Sequence, residues 1–145
     1  MTRVNFYIIE QGSADAIDNF ICRLTEKVWS QESTVYIHTQ GHDHAVKFDD
    51  LLWTYKEEGF IPHQVVAEDN DDQSVLIGHE NSAEMPNSHH GVLINLNEDI
   101  PPFFSQFDRV AEIISGDENS RAKGRERYQF YRDRGYALET HKMSL

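Results

Sequence analysis

The sequence is poor in cysteine, in long apolar runs and in positive charge. Its single cysteine, Cys22, excludes a disulfide within the chain and suits a reducing compartment. No apolar run approaches the roughly 20 residues that a membrane-spanning helix needs, and the N-terminal stretch MTRVNFYIIE lacks the features of a signal peptide. The 13 lysines and arginines stand against 25 aspartates and glutamates, and the net charge of −12 disfavours unspecific binding to DNA. We therefore expect a cytoplasmic protein with no membrane contact and no direct specific DNA binding.

Sequence motifs of catalysis and of cofactor binding are missing as well. One glycine, Gly12, follows the first apolar run where a dinucleotide-binding fold has G-x-G-x-x-G, and neither a P-loop nor a G-x-S-x-G elbow occurs. Backbone amides at a helix start after Ser13 could still bind an anion. Cys22 lies off the apolar stripe of its predicted helix, which favours a structural or exposed thiol over a nucleophile. We expect no catalytic residue and no cofactor.

Three stretches superficially suggest metal sites. His38, His42 and His44 cluster in HTQGHDH, and His89 adjoins His90, but these spacings match no zinc pattern and no cysteine accompanies them. The stretch DNDDQS, residues 69–74, lacks the glycine and the glutamate of a calcium loop. We interpret them as surface histidines and a solvated acidic loop, and we expect no metal.

Apolar periodicity predicts strands that alternate with helices along the chain. The predicted strands cover residues 4–10, 34–39, 60–67, 74–78 and 91–96. Three helices are predicted. The first is capped by Ser13, the second ends near Trp53, and the third spans 118–134 and stops at Gly135. The stretch 109–115 fits either a strand or the end of a helix. This alternation predicts the α/β class: a single domain over residues 1–145 with a three-layer Rossmann-like fold and a mainly parallel central sheet.

One segment reverses the charge of the rest of the chain. Residues 121–134 carry six lysines and arginines and two acids, a net +4, whereas the remainder carries seven and 23, a net −16. On a helix, Arg121, Arg125, Tyr128 and Arg132 fall within an arc of about 60°. Guanidinium groups beside a phenol ring suit a ligand with carboxylates and an aromatic ring. The alternative is a solvated helix whose last-turn arginines complement the helix dipole.

Aromatic residues are concentrated in a second stretch, LLWTYKEEGFIPH, at residues 51–63. Trp53, Tyr55, Phe60 and Pro62 lie there around a predicted helix-to-strand turn. These residues would be core if they are buried. If they are exposed together, they would form a protein-binding surface, since tryptophan and tyrosine are enriched in binding hot spots.

These stretches resemble one known family. LLWTYKEEGFIPH, GVLINL and above all GRERYQFYRDRGY are similar to the chi subunit of bacterial DNA polymerase III, and the similarity runs from NFYIIE to the end of the chain. The resemblance implies a non-catalytic, Rossmann-like accessory subunit of a DNA-directed DNA polymerase (nucleotidyltransferase) complex. It also implies two partners, the psi subunit of the clamp-loader assembly in a heterodimer and the acidic C-terminal tail of single-stranded DNA-binding protein. Such a chain would bridge the clamp loader to coated single-stranded DNA.

The resemblance assigns roles to single residues in and near the basic helix. Arg125 would hold the terminal carboxylate of the tail, and Tyr128 would form part of the wall for its terminal phenylalanine. Arg121 would attract the aspartates of the tail. Ile114 and Tyr136 would belong to the same pocket.

Two further expectations come from the resemblance. Gln129 departs from the family pattern, since a basic side chain is expected there, and its neutral amide implies weaker or less salt-dependent tail binding. Trp53, Phe60 and Pro62 match the surface that docks psi, and a helicase can compete for the same place.

The runner-up interpretation is a small α/β enzyme that acts on a nucleotide or a phosphorylated metabolite. It requires a deep cleft with convergent polar groups at the carboxyl ends of the strands. The adaptor interpretation requires only a shallow basic groove beside the last helix.

Overall fold

Seven strands of the described chain form one sheet. The computed structural model describes residues 1–31, 33–54, 63–65, 75–79 and 90–145. The elements are β1 (Arg3–Gln11), α1 (Ala14–Ser30), β2 (Val35–Thr39), α2 (His42–Thr54), β3 (His63–Val65), β4 (Val75–His79), β5 (Val92–Asn95), a 3-10 turn (Phe104–Gln106), β6 (Arg109–Ile114), α3 (Glu118–Asp133) and β7 (Ala137–Ser144). The strand order is β3-β4-β2-β5-β6-β1-β7, and every neighbouring pair is parallel.

Helices cover both faces of this sheet. On one face, Phe20 of α1 and Phe48 of α2 join a core cluster with Ile37 of β2. On the other face, Tyr131 of α3 belongs to a second cluster with Tyr36 of β2. All five residues of β2 are buried, as expected for a central parallel strand covered on both sides. The predicted three-layer α/β fold with a mainly parallel sheet is confirmed.

Local signals in the sequence explain where the helices begin and end. The Ser13 hydroxyl accepts a hydrogen bond from the backbone N–H of Ala16 at 3.1 Å and so caps α1. Asp117 caps α3 in the same way through the N–H of Ser120. Gly135 follows α3 with φ of 79°, a conformation that glycine adopts without strain. No described helix is long and apolar enough to cross a membrane.

The structure resolves one open prediction and adds one strand that the sequence did not predict. Residues 109–114 form a strand, β6, rather than the end of a helix. β7 was not predicted, because its sequence ALETHKMS has no apolar run and most of its side chains are exposed. β7 pairs with β1 at the edge of the sheet, and it is the element that follows α3 in the chain.

The interpretation of the histidines as surface residues is wrong for His38. This side chain of β2 is 4% exposed, and burial lowers its pKa to about 4. Within the described part of the chain its Nδ1 atom has no hydrogen-bond partner. His42 is exposed, whereas residue 89 and residues 69–74 lie outside the described residues. In the described ranges, no group of three potential ligands is placed to hold a metal.

Cys22 is a buried thiol of α1. Its side chain is 2% exposed, and burial raises the pKa of the thiol to about 11. A thiol that holds its proton so firmly is a poor nucleophile at neutral pH. The sequence left open whether Cys22 is a structural or an exposed thiol. Its burial shows that it is a structural one.

A buried carboxylate docks α3 onto the sheet. Glu112 of β6 is 0% exposed, and it accepts hydrogen bonds from Arg127 Nε at 2.8 Å and from the Tyr131 hydroxyl at 2.8 Å. Asn95 Nδ2 lies 3.1 Å from both carboxylate oxygens. Burial raises the pKa of the Glu112 carboxyl, and the Arg127 charge and these hydrogen bonds oppose that rise. Arg127 and Tyr131 are four residues apart on α3, so both bonds hold the same helix face against the sheet.

We expect Arg127→Met to lower the free energy of unfolding by about 3–5 kcal/mol, because the Glu112 charge would lose its buried partner. The pKa of the Glu112 carboxyl would then rise further in the folded state. The folded chain would hold a proton that the unfolded chain releases above a pKa of about 4.3. The stability that this proton contributes is fully present below the unfolded-state pKa. It is lost as the pH rises through the pKa of Glu112 in the folded state.

Urea unfolding across this pH range measures the effect. The variant should lose stability with rising pH more steeply than the unsubstituted protein. Arg132→Met is the matched control, since Arg132 is an exposed residue of the same helix. Equal losses in the two variants, or no added pH dependence in Arg127→Met, would contradict the role given to Glu112.

Candidate functional site

A groove with a cavity volume of about 420 Å³ lies between α3 and the β7 edge of the sheet. The sheet contributes Phe6, Ile8, Glu10, Ile114, Thr140 and Lys142. The helix contributes Arg121, Gly124, Arg125 and Tyr128. Three strands and one helix therefore build the groove, and it borders a free edge of the described sheet.

The floor and one wall of the groove are apolar and aromatic. Phe6 and Ile114 are 1% and 5% exposed and form the sheet side. Tyr128 is 36% exposed, and its ring centroid lies 5.2 Å from that of Phe6 at an interplanar angle of 61°. This edge-to-face contact orients the phenol ring, so one of its faces borders the groove. A ligand with one aromatic or aliphatic side chain could bury it here.

The rim of the groove is positively charged. Arg121 and Arg125 are exposed on α3, and Lys142 lies across the groove on β7. Within the described part of the chain, these three side chains make no ion pair or hydrogen bond to a neighbour. Among the residues that line the groove, Glu10 is the one acid. Three cations thus face a common space in a chain whose net charge is −12.

Gly124 brings α3 close to the floor. A Cβ atom at this position would overlap the Cδ1 atom of Ile114 on β6. The glycine therefore lets the helix backbone approach the sheet between Arg121 and Arg125. It also leaves the space beside Ile114 open towards the groove.

The structure brings together most of the residues that the sequence predicts for the tail site. Ile114, Arg121, Arg125 and Tyr128 line one groove. Gln129 is exposed on α3 but does not line that groove. Tyr136 is half-buried elsewhere, with its ring centroid 5.3 Å from that of Phe104 and 6.1 Å from that of Tyr131.

The β7 side of the groove was missed by sequence reasoning. Thr140 and Lys142 line the groove, and they belong to the strand that the sequence did not predict. The alternation of helices and strands could have revealed it. A chain that leaves α3 through a Gly135 turn is expected to return as a further parallel strand.

The proposed psi surface is described in part. Trp53 is 56% exposed at the end of α2, so this residue is not a core side chain. Val46, seven residues earlier on the same helix, is 40% exposed. Tyr55, Phe60 and Pro62 lie outside the described residues.

A polar cleft of about 340 Å³ lies at the carboxyl ends of β2, β5 and β6, where the runner-up interpretation requires one. Several of its polar groups are engaged by neighbouring side chains. Asp18 pairs with Lys47 at 2.9 Å, and Asn119 Nδ2 donates to Glu98 Oε1 at 3.2 Å. Arg127 is engaged by Glu112. These three charged or polar side chains of the cleft are therefore held by other described residues rather than presented to a ligand.

Comparison with known proteins identifies the family. The model of the family described as DNA polymerase III chi subunit, HolC, matches residues 1–139. The chain belongs to the DNA polymerase III chi subunit family. Members of this family are accessory subunits for DNA replication and not catalytic enzymes.

Individual relatives agree with this assignment. The chain is 37% identical over 143 residues to DNA polymerase III subunit chi of Pseudomonas aeruginosa, covering 99% of this chain and 98% of the relative. It is 24% identical over 145 residues to the Escherichia coli subunit, covering 97% of each chain. The Haemophilus influenzae subunit is 25% identical over 139 residues, 93% of each chain.

The fold is shared more widely than the family. The crystal structure of T4 UvsW matches 99% of this chain with a TM-score of 0.70. The match covers 42% of that chain at 8% sequence identity, so it concerns the fold alone.

We expect Gly124→Ala to lower the free energy of unfolding by about 1–3 kcal/mol, because the added methyl group would overlap Ile114. Helix propensity alone would give a gain of about 1 kcal/mol. Ile114→Val removes the overlapped methyl group, so the double variant should be more stable than the sum of the two single effects. Chemical denaturation of the four proteins tests this. A stabilising Gly124→Ala would show that the helix does not need this close approach.

Proposed function

We propose that the groove beside α3 binds the acidic C-terminal tail of single-stranded DNA-binding protein, and that the chain bridges this protein to the clamp loader through psi. The observation that carries the proposal is the groove itself. Three cations without partners in the described chain surround an apolar floor with room for one ring. An acidic peptide that ends in isoleucine, proline and phenylalanine has the complementary chemistry.

We keep for each side chain the role that the family resemblance implies, since four of these residues line the groove. The Arg125 guanidinium holds the terminal carboxylate through two parallel hydrogen bonds. Tyr128 and Ile114 enclose the terminal phenylalanine ring over Phe6. Arg121 attracts the aspartates that precede it.

Two predicted residues have weaker support from the geometry. Gln129 stands next to Tyr128 but outside the groove lining, and its neutral amide gives α3 one cation fewer than the family pattern. Tyr136 supports Tyr131 and Phe104 instead of lining the groove. In this proposal Tyr136 acts through the packing of α3 and not through contact with the tail.

The charge of the whole chain fits such a ligand. A net −16 outside residues 121–134 repels bare nucleic acid, whereas the basic segment attracts an acidic peptide at one place. The negative charge of the rest of the chain would repel a long polyanion. It therefore favours a ligand whose negative charges lie close together.

The second contact of the proposed bridge uses the end of α2. Trp53 and Val46 are both exposed on α2, and a large exposed tryptophan is the kind of residue that dominates binding energy in protein interfaces. We extend this surface to Phe60 and Pro62 on the family resemblance. A helicase that recognises the same surface would exclude psi.

Arg125→Ala should weaken tail binding at least tenfold, or about 1.4 kcal/mol, because the terminal carboxylate would lose its bidentate partner. Calorimetric titration with a synthetic tail peptide measures the change. Arg132→Ala is the matched control, since Arg132 is an exposed arginine of the same helix that does not line the groove. An unchanged dissociation constant for Arg125→Ala, or an equal loss in the control, would remove Arg125 from the site.

Trp53→Ala should abolish psi binding and leave tail binding unchanged, because α2 and the groove lie on opposite faces of the sheet. Size-exclusion chromatography with purified psi and titration with the tail peptide test the two halves of this prediction. Val46→Ala on the same helix should have a smaller effect on psi. Loss of both partners in Trp53→Ala would indicate misfolding or a shared site and would contradict the two-surface proposal.

A further inference from the structure

A second pocket with two arginines lies on the opposite face of the sheet from the groove. It has a volume of about 360 Å³ at the amino-terminal ends of β1, β6 and β7. Its lining includes Arg3, Asn5, Arg109, Ala137 and Glu139. Arg3 is the register partner of both Arg109 and Ala137, so these side chains stand on the same face of three neighbouring strands.

The arginine pair has no counterion within the described residues. Arg3 and Arg109 stand directly opposite each other in neighbouring strands, an arrangement that is destabilising for two like charges. Neither guanidinium forms an ion pair or a hydrogen bond with another described residue. This is notable in a chain that has 25 carboxylates and 13 cations. A bound anion would remove the repulsion between the two arginines.

Asn5 adds an amide donor to the same pocket. Its side chain is 7% exposed, and its Oδ1 atom lies 3.4 Å from His141 Nε2. Its Nδ2 amide makes no hydrogen bond to another described residue, although Asn5 lines the pocket. This amide is open to solvent, since the one buried side-chain atom without a partner in the described chain is His38 Nδ1. It can therefore donate to a ligand in the pocket.

The neighbouring strand leaves room for that ligand. Ala137, the register partner of Arg3 on β7, contributes only a methyl group to the lining. Glu139 is the one acid among the lining residues, so the lining carries two cations against one carboxylate. The pocket therefore keeps one cation in excess and one amide donor for an anion.

We propose that this pocket binds the phosphate group of a small ligand, either free phosphate or a mononucleotide. A carboxylate has two oxygen atoms and satisfies one guanidinium fork, whereas a phosphate has enough oxygens to bridge two guanidinium groups and the Asn5 amide. A longer polyanion would extend over the acidic remainder of the chain, whose net charge is −16. The site is distinct from the groove that the proposed function assigns to the tail.

NMR titration of the full chain in a phosphate-free buffer of low ionic strength tests the site. Inorganic phosphate should shift the Asn5 Nδ2 side-chain resonance saturably, with a dissociation constant of about 1 mM or below. Titration with AMP and with adenosine separates the possible sources. AMP and phosphate should both bind and adenosine should not, since the phosphate group makes the contacts.

Substitutions test whether phosphate binding depends on Arg3 and Arg109. Arg3→Gln and Arg109→Gln should each weaken phosphate binding at least tenfold, while tail-peptide binding stays unchanged. Neither variant should be less stable than the unsubstituted protein, because each removes one of two repelling charges. Arg23→Gln, an exposed arginine on α1 with the same change in charge, is the control and should bind phosphate normally.

Three results would overturn the proposal. The first is a chemical shift change that grows linearly without saturation, and the second is the same change with chloride at equal ionic strength. The third is an unchanged phosphate affinity in Arg109→Gln. Each would show that Arg3 and Arg109 do not form a phosphate site. A failure of tail binding with intact phosphate binding would count against the proposed function alone.

Discussion

The ion pair between Glu112 and Arg127 is the interaction on which the candidate site depends. A fully buried carboxylate needs several donors, and it obtains them from Arg127, Tyr131 and Asn95. Two of these donors belong to α3 and stand one turn apart, so the carboxylate fixes both the position and the rotation of the helix. With Arg127 and Tyr131 turned inward, the side chains at 121, 125 and 128 must turn towards the groove.

The same helix therefore uses its arginines in two different ways. Arg127 is 6% exposed and neutralises a buried acid, whereas Arg121 and Arg125 remain exposed and keep their charge for a ligand. Gly124 lies between Arg121 and Arg125 and lets the helix backbone approach Ile114 at the apolar floor of the groove. A helix held at a greater distance would place the cations away from the apolar floor, and the combination of charge and apolar surface would be lost.

The sequence predicts the layers of this fold better than its polar details. The apolar runs of β1 and β2 and the caps at Ser13 and Gly135 are local signals, so the elements were predictable from neighbouring residues alone. β7 was not, because an exposed edge strand needs no apolar pattern. Burial of Arg127 was missed because it depends on Glu112, which is 15 residues away in sequence. Glu112 itself was a usable signal, since one acid within the apolar run of β6 requires a buried partner.

The most direct test of the account is a calorimetric titration with a peptide ending in Asp-Asp-Asp-Ile-Pro-Phe, in parallel with the same peptide carrying an amidated C-terminus. The groove geometry predicts that the free acid binds with a dissociation constant in the micromolar range, about −8 kcal/mol, and that amidation weakens binding by at least about tenfold. Equal affinity of the two peptides would mean that the terminal carboxylate is not recognised. Absence of binding by the free acid at low salt would contradict the assignment of the groove to this ligand.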